Sequence, residues 1–151
     1  MDIKIAIAEI QKFNRVRISE NLKKNKRIII LSDDFTGYDF LYNINQLGTN
    51  PDIILIDIRL PVIDGVVISN FLKKRIPGIK IIAIVQDPDD INIPILYQIG
   101  VDSILYQNSN ENLIYLEIER VFNTRHQKCI ENKYEISNIS QNRLPIYLNN
   151  N

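Results

Sequence analysis

Residues 51–65 read Pro-Asp-Ile-Ile-Leu-Ile-Asp-Ile-Arg-Leu-Pro-Val-Ile-Asp-Gly, and they give the clearest indication of the fold. A short uninterrupted apolar run ends at Asp57, and Pro61 and an Asp-Gly pair follow it closely. Continuous apolarity bounded by turn residues is typical of a strand that is covered on both faces, as in a parallel sheet. The stretch therefore predicts a buried parallel strand with an aspartate at its carboxyl end.

Similar β-branched runs alternate with longer segments of mixed polarity along the rest of the chain. The predicted strands cover residues 3–8, 27–32, 52–57, 79–85 and 102–107. The segments between them have the length of crossover helices, the first over about 12–24. Units of strand and helix that end near Asn123 predict an α/β fold, a doubly wound five-stranded parallel sheet.

Apolar spacing gives two of the predicted helices a buried face. The last helix, with Ser109 as its expected N-cap, has a stripe of Ile114, Ile118, Val121 and Phe122. The helix after Gly65 has a stripe of Val67, Phe71 and Leu72. In the fourth helix Pro94 cannot occupy a second turn, so we expect a late start at Ile93 with Asn92 as the cap.

Composition excludes several classes of protein. The chain has 18 basic and 18 acidic residues, so it is not a uniformly basic nucleic-acid binder. No apolar run approaches the roughly 20 residues of a membrane span, and the amino terminus lacks the layout of a signal peptide. We therefore expect a cytoplasmic protein. The single Cys129 and single His126 exclude disulfide frameworks, thiolate metal sites and most histidine-dependent catalysis.

Ligands of open parallel sheets bind at the carboxyl ends of the strands. We expect Glu9, Asp57, Val85 and Gln107, which end four of the predicted strands, to surround one crevice. None of the glycines has the spacing of a phosphate-binding or dinucleotide-binding loop, which excludes the usual nucleotide sites. A crevice with two carboxylates remains.

Residues 51–65 resemble the phosphoacceptor segment of response-regulator receiver domains, which serve phosphorelay signal transduction in two-component systems. Ile3-Lys-Ile-Ala-Ile-Ala-Glu9 is similar to the first strand of these domains, and Gly100-Val-Asp102-Ser-Ile-Leu-Tyr-Gln107 to their fifth. The resemblance covers residues 3 to about 123 and implies the flavodoxin-like (βα)5 receiver fold.

The resemblance also implies the roles of individual residues. Asp57 matches the phosphoacceptor, which would make the chain a phosphoprotein, and Glu9 matches the first of two acidic metal-binding positions. Arg59 matches the position whose backbone carbonyl helps to hold Mg²⁺. Three other positions depart from the family pattern: Ile10 stands for the second acid, Val85 for the Thr or Ser, and Gln107 for the Lys. The resemblance is thus to an atypical, degenerate receiver.

These departures weaken the expected chemistry. Mg²⁺ needs several oxygen ligands, and Ile10 removes one of them. Gln107 in place of a cation forfeits a gross pair energy of about 4 kcal/mol at 4 Å and an effective dielectric of 20. We therefore expect weak Mg²⁺ binding, no other cofactor, and weak phosphorylation of Asp57 or none. The leading hypothesis is a protein-interaction module that works independently of phosphorylation.

Two alternatives stay open. One is a working Mg²⁺-dependent phosphoacceptor with altered ligands, in which Glu9, Asp57 and water suffice. The other is a metal-dependent phosphoryl-transfer enzyme, which is disfavoured because Arg59 stands where the paired-acid pattern needs a further acid. We expect no catalytic residue and no enzyme. Asp64 is expected to serve the turn with Gly65.

The expected partners are a sensor histidine kinase or another signalling protein, and a second copy in a homodimer. The first helix carries an excess of Lys and Arg that favours an acidic partner. We expect a receiver domain over residues 1–123, and a helical extension with a polar tail or linker over 124–151 without an output domain. No nucleic acid or membrane contact is expected through this chain.

Overall fold

The computed structural model describes residues 1–124 of the chain. Five strands alternate with five helices, and the strands form one parallel sheet in the order β2-β1-β3-β4-β5. The strands are β1 (Ile3–Ala8), β2 (Ile28–Asp34), β3 (Ile53–Asp57), β4 (Lys80–Val85) and β5 (Ser103–Tyr106). The helices are α1 (Lys12–Lys23), α2 (Gly37–Gln46), α3 (Gly65–Arg75), α4 (Ile93–Gln98) and α5 (Glu111–Asn123). The predicted doubly wound α/β fold is confirmed.

Strand alternation distributes the core over both faces of the sheet. On one face Ile5 and Ile7 of β1 pack in a cluster that includes Ile18 of α1 and Ile118 of α5. On the other face Ala6 and Ala8 belong to a cluster with residues of α2, α3 and α4, including Phe40, Ile68 and Leu96. Because both faces are covered, β3 and β4 are buried along their whole length, as their continuous apolarity predicts.

The strand boundaries differ from the prediction mainly in β2. This strand runs to Asp34, whereas the apolar run predicted an end at Ser32. Its last two residues pair with Ile7 and Ala8 of β1, so backbone pairing extends the strand through two polar residues. The other boundaries differ from the predicted ones by one residue or not at all.

The start of α5 corrects one predicted cap. The predicted stripe of α5 is buried in full. The N-cap, however, is Asn110, whose side chain accepts a hydrogen bond from the backbone N–H of Leu113 at 2.9 Å. The prediction of Ser109 was wrong because that residue is already buried behind the helix start, and its carbonyl accepts a bond from Arg17.

The predicted stripe of α3 was wrong for two of its three residues. Val67 and Phe71 are exposed, while Leu72 is buried as predicted. Ile68 and Ser69 face the sheet instead. The buried face is rotated because Gly65 itself lies against the backbone of β3 and thereby sets the rotation of the helix.

Helix α4 starts at Ile93, as Pro94 predicts, with proline in its first turn. Asn92 is the N-cap residue, but its side chain makes no capping hydrogen bond, which corrects that part of the prediction. Asn92 contributes instead through its carbonyl, which accepts from the N–H of Leu96 at 2.9 Å. A short helix of six residues results, with Ile93 and Leu96 buried.

The predicted helical extension and tail over 124–151, with His126 and Cys129, lie outside the described residues apart from Thr124. Within residues 1–124, every helix is too short or too polar to cross a bilayer.

Candidate functional site

The carboxyl ends of β1, β3, β4 and β5 meet in one crevice. Asp57 is the last residue of β3 and Val85 the last of β4, and Glu9 and Gln107 directly follow β1 and β5. The Gln107 side chain donates to Oε1 of Glu9 at 3.3 Å, and its backbone N–H donates to the carbonyl of Val85 at 2.9 Å. The structure thus brings together the four residues that the sequence predicted as neighbours.

Glu9 lies entirely below the surface of the crevice. Its side chain is fully buried, and Oε1 accepts the backbone N–H of Gln11 at 3.1 Å in addition to the Gln107 amide. Its second oxygen, Oε2, is buried and has no hydrogen-bond partner among the described residues. A buried carboxylate oxygen without a partner is costly, so it favours either protonation or a bound cation.

Asp57 is arranged in a similar way. Its side chain is fully buried, and Oδ1 accepts the backbone N–H of Arg59 at 2.8 Å. Its Oδ2 is buried and lacks a hydrogen-bond partner in the described part of the chain. The crevice therefore contains two buried carboxyl groups. In each, one oxygen accepts a hydrogen bond, and the other has no hydrogen-bond partner among the described residues.

The guanidinium of Arg59 is the cation of this site. Its Nε lies 3.5 Å from Oδ1 of Asp57, which is an ion-pair distance, although the alignment does not meet that of a hydrogen bond. Its Nη1 donates to the side-chain oxygen of Gln86, in the loop after β4. About a third of the Arg59 side chain is exposed, so it lies at the rim and spans the ends of β3 and β4.

Burial and the nearby Asp57 charge, in that order, raise the pKa of the Glu9 carboxyl from 4.5 to about 7. The close approach of the Asp57 side chain acts in the same direction. The backbone N–H of Gln11 and the amide of Gln107 stabilise the charged form, but they do not outweigh these effects. Glu9 thus carries a proton over much of the pH range below 7.

The Asp-Gly pair fixes the loop that carries Arg59. Gly65 donates its N–H to the carbonyl of Ile58 at 3.0 Å, and a Cβ at Gly65 would lie 2.3 Å from the carbonyl oxygen of Asp57. Only glycine allows α3 to start so close to the end of β3. Asp64 caps α3 by accepting the N–H of Val67 at 2.9 Å, as its predicted turn role implies.

The two apolar site positions offer no ligand. Val85 is fully buried, and Ile10 is partly exposed beside Glu9 on the chain. Neither side chain has an atom that could bind a metal ion or a phosphoryl oxygen. Among the described residues, the polar side chains of the crevice that make hydrogen bonds to one another or to its backbone include Glu9, Asp57, Arg59, Gln86 and Gln107.

This donor set does not fit the Mg²⁺ that the family resemblance implies. Two carboxylate oxygens are unpartnered, which a cation would satisfy. Mg²⁺, however, prefers a near-octahedral set of oxygens, and within residues 1–124 there is no group of three acidic, histidine or cysteine side chains that could hold a metal ion. One side of Asp57 already faces a guanidinium.

Two features of the crevice were not predicted. The side chain of Arg59 follows Asp57 by two residues, and alternation at a strand end returns such a residue to the same side, so the signal was present in the sequence. Asp34, at the end of β2, is also buried, and burial raises the pKa of its carboxyl. Its Oδ1 accepts from Asn43 of α2 at 2.6 Å, a contact that no local pattern indicates.

Known proteins with a similar sequence are response regulators. The response regulator protein VraR of Staphylococcus saprophyticus is 24% identical over 147 residues, which cover 97% of this chain and 69% of that protein. VraR of Staphylococcus aureus is 26% identical over 110 residues, 73% of this chain and 52% of that protein. The chain thus spans between about half and two thirds of these relatives. No protein-family model matches it.

Solved structures agree with this likeness. A CheY-like response regulator receiver domain protein from Methanospirillum hungatei superimposes with a TM-score of 0.73 at 18% identity, covering 85% of this chain and 99% of that one. The described part of the chain thus has the fold of response-regulator receiver domains, and its sequence is similar to that of response regulators. This likeness agrees with the resemblance on which Asp57 is predicted to be the phosphoacceptor.

Proposed function

We propose that this receiver domain is atypical and acts as a protein-interaction module whose activity depends weakly or not at all on phosphorylation. The observation that carries this proposal is the contact at the end of β5, where Gln107 brings an uncharged amide to Glu9 at 3.3 Å. An amide donates a hydrogen bond but cannot neutralise an anion. The β5 side of the crevice therefore supplies no positive charge for an incoming phosphoryl group.

The energetics of phosphorylation support the proposal. A phosphoryl group adds a charge of about −1.5 to −2, and here it would enter beside the two fully buried carboxyl groups of Glu9 and Asp57. Transfer of such a group requires metal ions or cations that neutralise its oxygens. Val85 adds no hydroxyl at the end of β4. A phosphorylated Asp57 would find few partners with which to reorganise the neighbouring loops.

The proposed partners follow from the family. They are a sensor histidine kinase or another signalling protein, with a second copy of the chain as a further candidate. Relatives and neighbours are named as response regulators rather than enzymes, which supports a binding role without a catalytic residue. The described surface offers the exposed Lys12 and Lys23 of α1, followed by the exposed Lys24, as a basic face for an acidic partner.

Small phosphodonors test the proposal directly. The chain is incubated with acetyl phosphate and Mg²⁺ beside a receiver domain known to be phosphorylated under the same conditions, and intact mass is measured. We expect the reference domain to gain one phosphoryl group and this chain to gain little or none. Substantial phosphorylation that Asp57→Asn abolishes would overturn the proposal. Phosphorylation that persists in Asp57→Asn would indicate another acceptor.

A working phosphoacceptor with altered ligands is the second candidate. It is favoured by the unpartnered Oδ2 of Asp57 and by the charge of Arg59, which lies 3.5 Å from the other oxygen. The same mass experiment separates the two candidates, because only this one yields a phosphorylated Asp57 in high amount. A phosphoryl-transfer enzyme has no such support, since Arg59 occupies the position of the further acid.

A further inference from the structure

The family resemblance assigns a role only to the backbone carbonyl of Arg59, but the side chain of Arg59 also lies in the crevice. We propose that the Arg59 side chain is a resident counter-ion of Asp57 that keeps divalent cations away from the two buried carboxylates. The inference deepens the proposed function, since it takes Asp57 and Glu9 to be the acceptor crevice. It explains the poor fit to Mg²⁺ by a positive charge that the chain itself supplies.

The geometry aims two groups of one residue at the same oxygen. The backbone N–H of Arg59 donates to Oδ1 of Asp57 at 2.8 Å, and its Nε lies 3.5 Å from that atom. The far end of the guanidinium is anchored by the side chain of Gln86. The guanidinium of Arg59 therefore lies at ion-pair distance from Asp57 through Nε and is anchored by Gln86 through Nη1. It connects the end of β3 with the loop after β4.

The environment makes this pair stronger than an ordinary surface contact. Asp57 is fully buried, so its charge interacts with Arg59 through a medium less polar than water. Arginine remains protonated at every pH that a folded protein tolerates, so this positive charge is permanent. A divalent cation near Asp57 would meet that charge and would also lose water ligands that it releases reluctantly.

The donors around Asp57 can be compared with those around Glu9. Gln107 donates to Oε1 of Glu9 in the same way that the Arg59 N–H donates to Oδ1 of Asp57. Both carboxyl groups therefore have one oxygen that accepts from internal donors, and among the described residues Asp57 alone of the two is paired with a cation. Among residues 1–124, removal of the Arg59 charge leaves the two acids of this site with no cationic ion-pair partner, which is a better environment for a metal ion.

A metal titration of the whole chain tests the inference. Binding of Mg²⁺, and of Mn²⁺ as a stronger-binding probe, is measured by calorimetry at pH 8 for the natural chain and for Arg59→Gln. We expect Arg59→Gln to bind either ion at least about tenfold more tightly. Arg59→Lys keeps the charge and should stay within about threefold of the natural chain. Equal or weaker binding by a folded Arg59→Gln variant would overturn the inference.

Two further variants test whether the effect depends on the position of the Arg59 charge and not only on the net charge of the chain. Arg75→Gln removes the same charge at the end of α3, where Arg75 lies over the ring of Phe71, and should leave metal affinity unchanged. Gln86→Ala is an exposed substitution that releases the guanidinium anchor, and it should tighten binding by about threefold. If both Gln86→Ala and Arg59→Gln bind like the natural chain, the inference fails.

The readout is independent of the proposed function. Metal affinity is measured without a phosphodonor, so it reports on Arg59 whether or not Asp57 accepts a phosphoryl group. Tighter binding by Arg59→Gln together with strong phosphorylation of the natural chain would support the inference and overturn the proposed function. Unchanged metal binding by Arg59→Gln together with absent phosphorylation of the natural chain would overturn the inference and support the proposed function.

Discussion

The β1 and β3 side of the crevice differs from the β4 and β5 side in chemistry, although both are ends of the same parallel sheet. The first side supplies two fully buried acids, Glu9 and Asp57. The second supplies a buried Val85 and an amide from Gln107. The backbone holds all four in place, with the Gln107 N–H bonded to the Val85 carbonyl at 2.9 Å.

Apolar packing, rather than the polar groups of the crevice, forms the core of the fold. Core packing on both sheet faces positions the strand ends, whatever side chains they carry. We therefore expect that a side chain in the crevice can be replaced without loss of the fold, provided that the replacement does not bury an unpaired charge. The acidic side retains a cost, because its two unpartnered oxygens are buried.

The largest expected effect concerns the backbone of the acidic side. In Gly65→Ala the added Cβ would lie 2.3 Å from the Asp57 carbonyl oxygen and 2.7 Å from Cα of Ile58, so backbone must move. We expect the free energy of unfolding to fall by about 3 kcal/mol, measured by urea denaturation. Gly48→Ala is the control, because a Cβ there meets nothing within 4 Å. Equal stability of the two variants would contradict this account of the loop.

The second prediction concerns the charge of the acidic side. Because the pKa of Glu9 is raised from 4.5 to about 7 in the fold, the folded state binds this proton more tightly than the unfolded state. The penalty of ionising Glu9 is absent below pH 4.5, grows as the pH rises, and is complete above about pH 7. A shift of this size corresponds to about 3 kcal/mol.

Glu9→Gln isolates this effect from other titrating groups such as Asp34. The difference in unfolding free energy between Glu9→Gln and the natural chain should move in favour of the variant by about 3 kcal/mol between pH 4.5 and pH 8. Urea denaturation at several pH values measures it. A difference that stays constant with pH would show that Glu9 ionises as freely in the fold as in the unfolded chain.

The sequence predicted the sheet and the members of the crevice because both follow from local pattern. Buried parallel strands are continuously apolar, and the residues that end them, such as Glu9 and Asp57, necessarily meet at one edge. The rotation of α3 was not predictable in this way. Val67 and Phe71 fit helical spacing as well as Ile68 does, and the contact of Gly65 with β3 selects the face.

The side-chain contacts of the site and the pKa of Glu9 could not be predicted, for a similar reason. A sequence shows that Gln107 is uncharged, but not that its amide reaches Glu9. Nor does it show that Arg59 pairs with Gln86, which is a contact between two loops. The raised pKa of Glu9 depends on burial and on the distance to Asp57, which are properties of the packed structure. Residue types were thus predictable, and their electrostatic state was not.

The third prediction supplies a cation to the uncharged side of the crevice. Gln107→Lys places an ammonium near the Glu9 carboxylate, so we expect the pKa of Glu9 to fall and the charged form to be stabilised. The unfolding free energy at pH 8 should rise by about 1–2 kcal/mol, with no gain at pH 4.5, where Glu9 is protonated. Gln46→Lys adds the same charge at the end of α2 and serves as the control. A gain of the same size at both pH values would contradict an ion pair with Glu9.

The smallest expected effect separates the two aspartates of the acidic side. Asp64 accepts the N–H of Val67 at 2.9 Å and caps α3, whereas Asp57 lies in the crevice. Asp64→Ala should lower the unfolding free energy by about 1 kcal/mol. Asp64→Asn keeps a capping oxygen and should be nearly neutral. The metal affinity measured at pH 8 should be unchanged in both variants, because the cap is not a crevice ligand. Loss of metal affinity in Asp64→Asn would show that Asp64 contributes to metal binding in the crevice as well as to the cap of α3.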